Sequence, residues 1–295
     1  MTRLRGCGTA LVTPFADDGS VDYPALKALV AWQIDQGIDF LVPCGSTGEA
    51  QTQTAGERER VVATVVEVVA GRIPVMAGAT DNDTGRAVDE TRRMCALGVD
   101  YILTACPFYN RPTPEGLFRH FSAIADASSR PVCLYNVPGR TGVNLKPDTV
   151  LRLAPHPNIA GIKEASGDVT QSLHILLGRP DGFAVLSGED ALAMAIITAG
   201  GDGLVSVASN EIPAEMTALV AASLDGELDA ARTLLYRLLP LLEANFIESN
   251  PAPVKAALGM MGRIRNVLRL PLVPLSDGKR APLIAALRAA GVTVD

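Results

Sequence analysis

Between Gly6 and about Asn210, short β-type runs alternate with amphipathic helical patterns, and this alternation restricts the fold more than any other feature of the chain. Eight runs are visible: 9–14, 40–44, 74–79, 101–107, 131–137, 159–165, 183–187 and 203–208. Strands separated by helices form parallel βα units, and eight such units suit a closed barrel better than an open sheet. The expected fold class is therefore α/β, a (β/α)8 TIM barrel.

The intervening helices carry their own punctuation. Asp22 is placed to cap a helix through Leu26, Leu29, Val30 and Ile34 that stops at Gly37. Thr54 with Glu57 makes a capping box, and Thr113 followed by Pro114 opens a helix to about Ala127. The junction Gly37-Ile38-Asp39-Phe40 returns as Gly98-Val99-Asp100-Tyr101, an internal echo that repeated βα units explain.

Beyond Ile212 the strand signals end, and 214–223, 227–248, 251–261 and 279–290 read as helices. A barrel needs one closing helix. The surplus predicts a barrel over 1–223 and a C-terminal helical extension over 224–295, buried through Leu234, Leu235, Leu238, Leu239, Leu241 and Leu242.

Composition narrows the partners. The net charge of −6 over 295 residues provides no basic footprint for nucleic acid and points to a small soluble partner. Cys7, Cys44, Cys95, Cys106 and Cys133 lack zinc-site spacing and read as reduced core residues, which favours the cytoplasm. The opening MTRLRGCGTALVTPF lacks a signal-peptide core, and no apolar run reaches membrane-spanning length, so no membrane association is expected. His120, His156 and His174 are scattered singly, and no histidine-based metal site is expected.

Active sites of such barrels lie at the C-terminal strand ends. The polar residues there are Gly45-Ser46-Thr47-Gly48-Glu49, Phe108-Tyr109-Asn110, Tyr135-Asn136, Lys163 and Ser187-Gly188-Glu189-Asp190. Lys163 is the lysine embedded in a strand, within NIAGIKEASGD, whereas Lys27, Lys146 and Lys279 have polar or helix-surface contexts. Lys255 falls in a helix, where snorkelling to solvent is the simpler account. A free lysine titrates at about 10.4, and burial lowers that value toward a neutral, nucleophilic amine. The competing account of Lys163 is a strand-end lysine reaching water or pairing with Glu164 or Asp168. The Gly45–Gly48 turn can present amides to a carboxylate or be an ordinary turn. Tyr109 and Tyr135 can relay protons or merely pack. Arg140 can grip a carboxylate in bidentate fashion or be a solvated loop arginine.

Taken in order, TALVTPF, GSTGE, PFYNRPTPEGL, YNVPGRTG, GIKEASGD, LSGEDA, GGDGLVSVASN and NPAPVKAAL resemble the dihydrodipicolinate synthase and N-acetylneuraminate lyase superfamily of pyruvate-dependent class I aldolases, over nearly the whole chain. The resemblance implies that Lys163 forms an imine with pyruvate and that Thr47, Tyr135 and Tyr109 are the proton-relay residues, Tyr109 coming from a neighbouring subunit. It further implies that Ser46 and Thr47 hold the pyruvate carboxylate, that Arg140 receives the carboxylate of aspartate semialdehyde, and that Gly188 and Val205 line the pocket with backbone. The implied reaction, on the route to diaminopimelate and lysine, needs no metal or organic cofactor. The implied assembly is a homotetramer of two tight dimers.

Ser46 stands where the synthase branch usually carries threonine and is shared with the neuraminate lyases, but the Arg140 motif belongs to the synthases. The alternatives are a related aldolase acting on a sugar acid and a catalytically silent barrel. In lysine-inhibited relatives a cleft between subunits uses polar or acidic residues at the positions of Ala55, Arg58, Arg86 and Phe108. Two arginines and no acid there imply insensitivity to lysine.

Overall fold

The computed structural model describes residues 4–294. Eight strands lie within them: β1 (Gly6–Ala10), β2 (Phe40–Val42), β3 (Met76–Gly78), β4 (Tyr101–Ala105), β5 (Val132–Asn136), β6 (Ile159–Glu164), β7 (Ala184–Ser187) and β8 (Gly203–Ser206). They pair in parallel in the order β2-β1-β8-β7-β6-β5-β4-β3. A parallel bridge between Leu41 and Val75 joins the two ends of that order, so the sheet returns on itself as a barrel.

The helices of the barrel are α1 (Tyr23–Asp35), α2 (Ala55–Val69), α3 (Thr84–Ala96), α4 (Pro114–Ala127), α5 (Pro138–Thr141), α6 (Pro147–Leu153), α7 (Val169–Gly178), α8 (Ala193–Thr198) and α9 (Pro213–Leu224). The capping signals act as the sequence predicts. Asp22 accepts from Ala25 N–H at 3.0 Å, and Thr113 accepts from Gly116 N–H at 3.2 Å. Thr54 and Glu57 exchange both bonds of the capping box. Each such cap contributes about 1 kcal/mol.

Period-two alternation divides the core in two. Phe40, Met76, Leu103, Tyr135, Leu186 and Val205 fill the barrel, while Leu41, Ile102, Leu134, Ile162 and Val185 face the helices. The first strand starts earlier than the apolar run suggests, at Gly6 rather than Thr9. Gly8 carries no pattern, yet a Cβ there would lie 2.0 Å from the Phe40 ring, so the strand needs glycine to let that ring fill the barrel. The apolar residues after Ala10 belong to the outer core instead, with Leu11, Val12 and Phe15 fully buried beyond the strand.

The repeated Gly-X-Asp junctions have a physical basis. Asp39 accepts from Cys7 N–H at 2.7 Å and Asp100 from Val75 N–H at 2.9 Å, each carboxylate satisfying a backbone donor at the start of the neighbouring strand. Asp202 repeats the device, accepting from Val185 N–H at 2.8 Å while paired with Arg179.

The C-terminal extension consists of α10 (Leu228–Ala244), α11 (Ala252–Met260) and α12 (Asp277–Ala289), with α10 packed on α9 and α12. Helix α10 ends at Ala244, short of the expected Glu248, where the buried Asn245 donates from Nδ2 to Glu211 at 2.9 Å. Among the described residues no helix is long and apolar enough to cross a membrane, and all five cysteines are buried and free.

Asp202→Ala takes the counter-charge from Arg179, which keeps only the Phe183 and Gly200 carbonyls, and orphans the Val185 amide. The expected result is a loss of about 3 kcal/mol in stability, seen as a lowered denaturation midpoint, with substrate KM unaffected because these groups lie at the opposite strand ends from the candidate site.

Candidate active site

In β6 the alternation sends Lys163 into the barrel and Glu164 out of it. Glu164 is consumed outside by Asn136 Nδ2 at 3.0 Å, Gln171 Nε2 at 3.1 Å and Ser166 N–H at 2.7 Å. Asp168 caps α7 through Gln171 N–H at 3.1 Å. Neither carboxylate pairs with Lys163, which is 5 % exposed and forms no ion pair among the described residues. Register sets Tyr135 beside it on β5, with Nζ 4.3 Å from the centroid of the Tyr135 ring. Asn136, the next residue, faces outward with Glu164 and leaves the mouth.

The Gly45–Glu49 turn follows β2. Gly48 and Glu49 spend their N–H groups on the carbonyls of Gly45 and Ser46, both at 3.1 Å. The N–H groups of Ser46 and Thr47 have no intramolecular acceptor among the described residues, which leaves two adjacent donors for an incoming anion. The Thr47 side chain is buried and accepts from Asn250 Nδ2 at 2.9 Å, whereas Ser46 is exposed.

A cavity of about 50 Å³ contains this constellation, lined by Ser46, Thr47, Tyr135, Arg140, Lys163, Gly188 and Glu189 among others. It adjoins a larger one of about 320 Å³ that does not reach Lys163. The two share Gly45, Ser46, Leu103, Tyr135, Val137, Arg140 and Asn250. We take the smaller as the reactive compartment because the inward lysine lies there. Gly188 closes over that lysine: a Cβ at this position would stand 2.9 Å from Lys163 Cε. Burial raises the pKa of Glu189, with nearby Asp190 adding to the shift and Lys163 and Arg140 opposing it.

Arg140, on α5, lines both compartments and donates from Nη2 to the Asn250 carbonyl at 3.1 Å. Val205 is fully buried in the barrel interior, and Val207, two residues further on, takes the lining position at the end of β8. Tyr109 is not brought to this chain's own compartments: it is 88 % exposed, with φ at 70°.

One expectation is corrected. Lys255 does not snorkel. It is wholly buried, with Nζ 2.5 Å from Glu49 Oε1, 2.8 Å from the Val267 carbonyl and 4.1 Å from the Phe15 ring centroid. Burial pulls its pKa down to about 8, against the raising influence of Glu49. Arg269 N–H donates to the other Glu49 oxygen at 3.1 Å, so the extension holds the Gly45–Glu49 turn from behind. The sequence signal was a lysine followed by AAL in a helix of low polarity. The four positions Ala55, Arg58, Arg86 and Phe108 carry no acid, as the sequence shows, but Asp81, Glu90 and Glu49 line the larger compartment beside them. Glu90 pairs with Arg58 at 2.7 Å and with Arg93, and Asp81 with Arg86 at 3.0 Å. Burial opposes ionisation of Glu90, but the two arginines outweigh it and hold the carboxyl below its ordinary range.

Residues 3–290 match the model of the dihydrodipicolinate synthetase family. The 4-hydroxy-tetrahydrodipicolinate synthase of Koribacter versatilis is 54% identical over 291 residues, covering 98% of this chain and 97% of its own. That of Acidobacterium capsulatum is 52% identical over 282 residues, covering 95% and 93%. The crystal structure of chloride-inhibited dihydrodipicolinate synthase from Acinetobacter baumannii, complexed with pyruvate, superposes with a TM-score of 0.96 at 43% identity, covering 98% of this chain and 99% of that one.

Lys255→Met leaves the buried Glu49 carboxylate without its cation, and denaturation midpoints are expected to show a loss of about 3–5 kcal/mol. Adding Glu49→Gln removes the orphaned charge and should recover part of it. A near-neutral Lys255→Met would mean that the pair is not a fastening of the turn.

Proposed function

The chain belongs to the dihydrodipicolinate synthetase family, and from that premise we propose that it catalyses the 4-hydroxy-tetrahydrodipicolinate synthase reaction, joining pyruvate to L-aspartate 4-semialdehyde on the diaminopimelate route to lysine. The observation that carries the reading is Lys163, inward and without an ion pair among the described residues, in a compartment it shares with Tyr135, the Ser46-Thr47 turn and Arg140.

In this mechanism the Lys163 amine attacks the pyruvate ketone and water leaves, forming an imine. The unused Ser46 and Thr47 amides hold the pyruvate carboxylate. The cationic imine acidifies the methyl group, a proton departs, and the resulting enamine adds to the aldehyde carbon of the second substrate. Tyr135 moves protons to and from the reacting oxygens, together with a hydroxyl of the Ser46–Thr47 pair. Ser46 faces both compartments, and the Thr47 hydroxyl, which accepts from Asn250, keeps its own proton to donate. Arg140 receives the semialdehyde carboxylate. Attack of the substrate amine on the imine carbon closes the ring and releases Lys163, so the sequence of steps needs no metal or organic cofactor.

Tyr109 fits the reading as a donation to a neighbouring subunit's site, because its exposed side chain lies outside its own compartments. That role calls for a tight dimer, and the family resemblance extends it to a homotetramer of two such dimers. Cytoplasmic residence accords with five unpaired, buried thiols.

Borohydride with pyruvate should add irreversible mass to the peptide containing Lys163, and Lys163→Ala should abolish the adduct. Arg140→Ala should keep trapping and lose turnover with the semialdehyde by about a hundredfold or more, as expected for a charge-assisted bidentate contact. Absence of the adduct in the folded chain would sink the aldolase reading. Equal loss of both steps in Arg140→Ala would count against the second substrate, and cleavage of N-acetylneuraminate or 2-keto-3-deoxygluconate would replace it.

Lysine should not inhibit. The acids near Arg58 and Arg86 are already paired with arginines, so a cationic amino acid finds no vacant carboxylate there. Steady-state rates with submillimolar lysine test this, and inhibition would refute it.

A further inference from the structure

Where α10 ends against the barrel, the Glu211 carboxyl and the Asn245 amide meet in a buried seam, 2 % and 0 % exposed. Asn245 Nδ2 donates to Glu211 Oε2 at 2.9 Å. The other oxygen of each group, Glu211 Oε1 and Asn245 Oδ1, is buried without a hydrogen-bond partner. Two orphaned acceptors on groups already in contact are costly, and both lack the same thing, a hydrogen. One proton on Oε1 would serve both. A carboxylic acid and a carboxamide each present one donor and one acceptor, and face to face they close a ring of two hydrogen bonds.

The surroundings favour that proton. An ionised Glu211 would be a buried charge held by one hydrogen bond, with no cation against it among the described residues. Glu211 follows the short turn Ala208–Asn210, which packs on β1, α9 and α11, while α10 packs on the Asp190 turn after β7. Of the ionisable groups on these elements, Asp190 is an acid, Cys7 on β1 is a buried thiol, Glu215 on α9 is a half-buried acid, and Lys255 on α11 is spent on Glu49. The charged residues of α10 and α12 are exposed. Burial pushes the Glu211 carboxyl well above the usual carboxylate range, the Asn245 amide opposes the shift, and Asp190 adds to it.

We propose that Glu211 keeps its proton at neutral pH and donates it from Oε1 to Asn245 Oδ1, so that a neutral acid–amide pair fastens the end of α10 to the barrel. The fastening lies where the chain turns into residues 246–250, the stretch that carries Phe246 and Asn250 to the Lys163 compartment. It makes this joint sensitive to pH in one direction. Below about 4.3, the ordinary value for a glutamate, folded and unfolded chains both hold the proton and the pair contributes in full. Above that the unfolded chain ionises first, and the folding equilibrium constant falls by up to about tenfold per pH unit until the folded chain ionises as well.

The test compares the full chain with Glu211→Gln, whose amide offers one donor and one acceptor in the same places and cannot ionise. As pH rises from about 5 to about 8, the ratio of folding constants from denaturation should grow in the variant's favour by about tenfold or more. Infrared spectra at neutral pH read the proton itself. The unaltered chain should show a carboxylic-acid carbonyl band that moves on 13C-glutamate labelling and is missing in Glu211→Gln. Parallel pH profiles would overturn the pair, as would a label-sensitive band that is absent from the unaltered chain or persists unchanged in the variant. Failure of Glu211→Gln to fold would overturn it too, because glutamine supplies both of the bonds that the proposal assigns to the protonated acid.

Discussion

A strand in a closed barrel has only two directions for its side chains, and the step from Lys163 to Glu164 turns on that fact. One residue goes to the interior and the next to the helix layer, where Asn136, Gln171 and the Ser166 amide take up its charge. A slip of one residue in β6 would exchange them, leaving a carboxylate in the reactive compartment and a lysine in the outer core. The register with Tyr135 on β5 and Leu186 on β7 therefore sets the chemistry as well as the packing.

The barrel does not complete the site by itself. The turn that offers the Ser46 and Thr47 amides contains two residues with left-handed backbone at its borders, Cys44 and Glu49, with φ of 57° and 54°. Such conformations persist only where the surroundings over-determine them. Lys255, Arg269 and Asn250 supply that restraint, with Arg269 further bound to Glu57 and the Thr52 carbonyl at 2.9 Å. The extension thus acts on the reactive compartment both from behind the turn, through Lys255 and Arg269, and from its lining, through Asn250.

Much of this was legible in the sequence because it is local. Helix α4 begins and ends where Thr113, Pro114 and Ala127 indicate, and the eight parallel strands follow from alternation. Lys163 declared itself by being a lysine in a buried strand. Lys255 was misread because a helix has an exposed side in the general case, and nothing within several residues of it reveals that its partner is Glu49, 206 positions away. Asn250 was invisible for the same reason, since Thr47 and Arg140 reach it across 203 and 110 positions. The partner of Arg58, Glu90, lies 32 positions away on the next helix, whereas that of Arg86, Asp81, lies five positions before it. The start of β1 was obscured by glycine, whose role is to make room.

The fastening of the Gly45–Glu49 turn by residues 250–269 also has a meaning in time. A ribosome releases the eight strands well before it releases Asn250, Lys255 and Arg269. Until then the Gly45–Glu49 turn lacks the bonds that Asn250, Lys255 and Arg269 make to Thr47 and Glu49. The binding turn is therefore the part of the site whose restraints are completed last in synthesis.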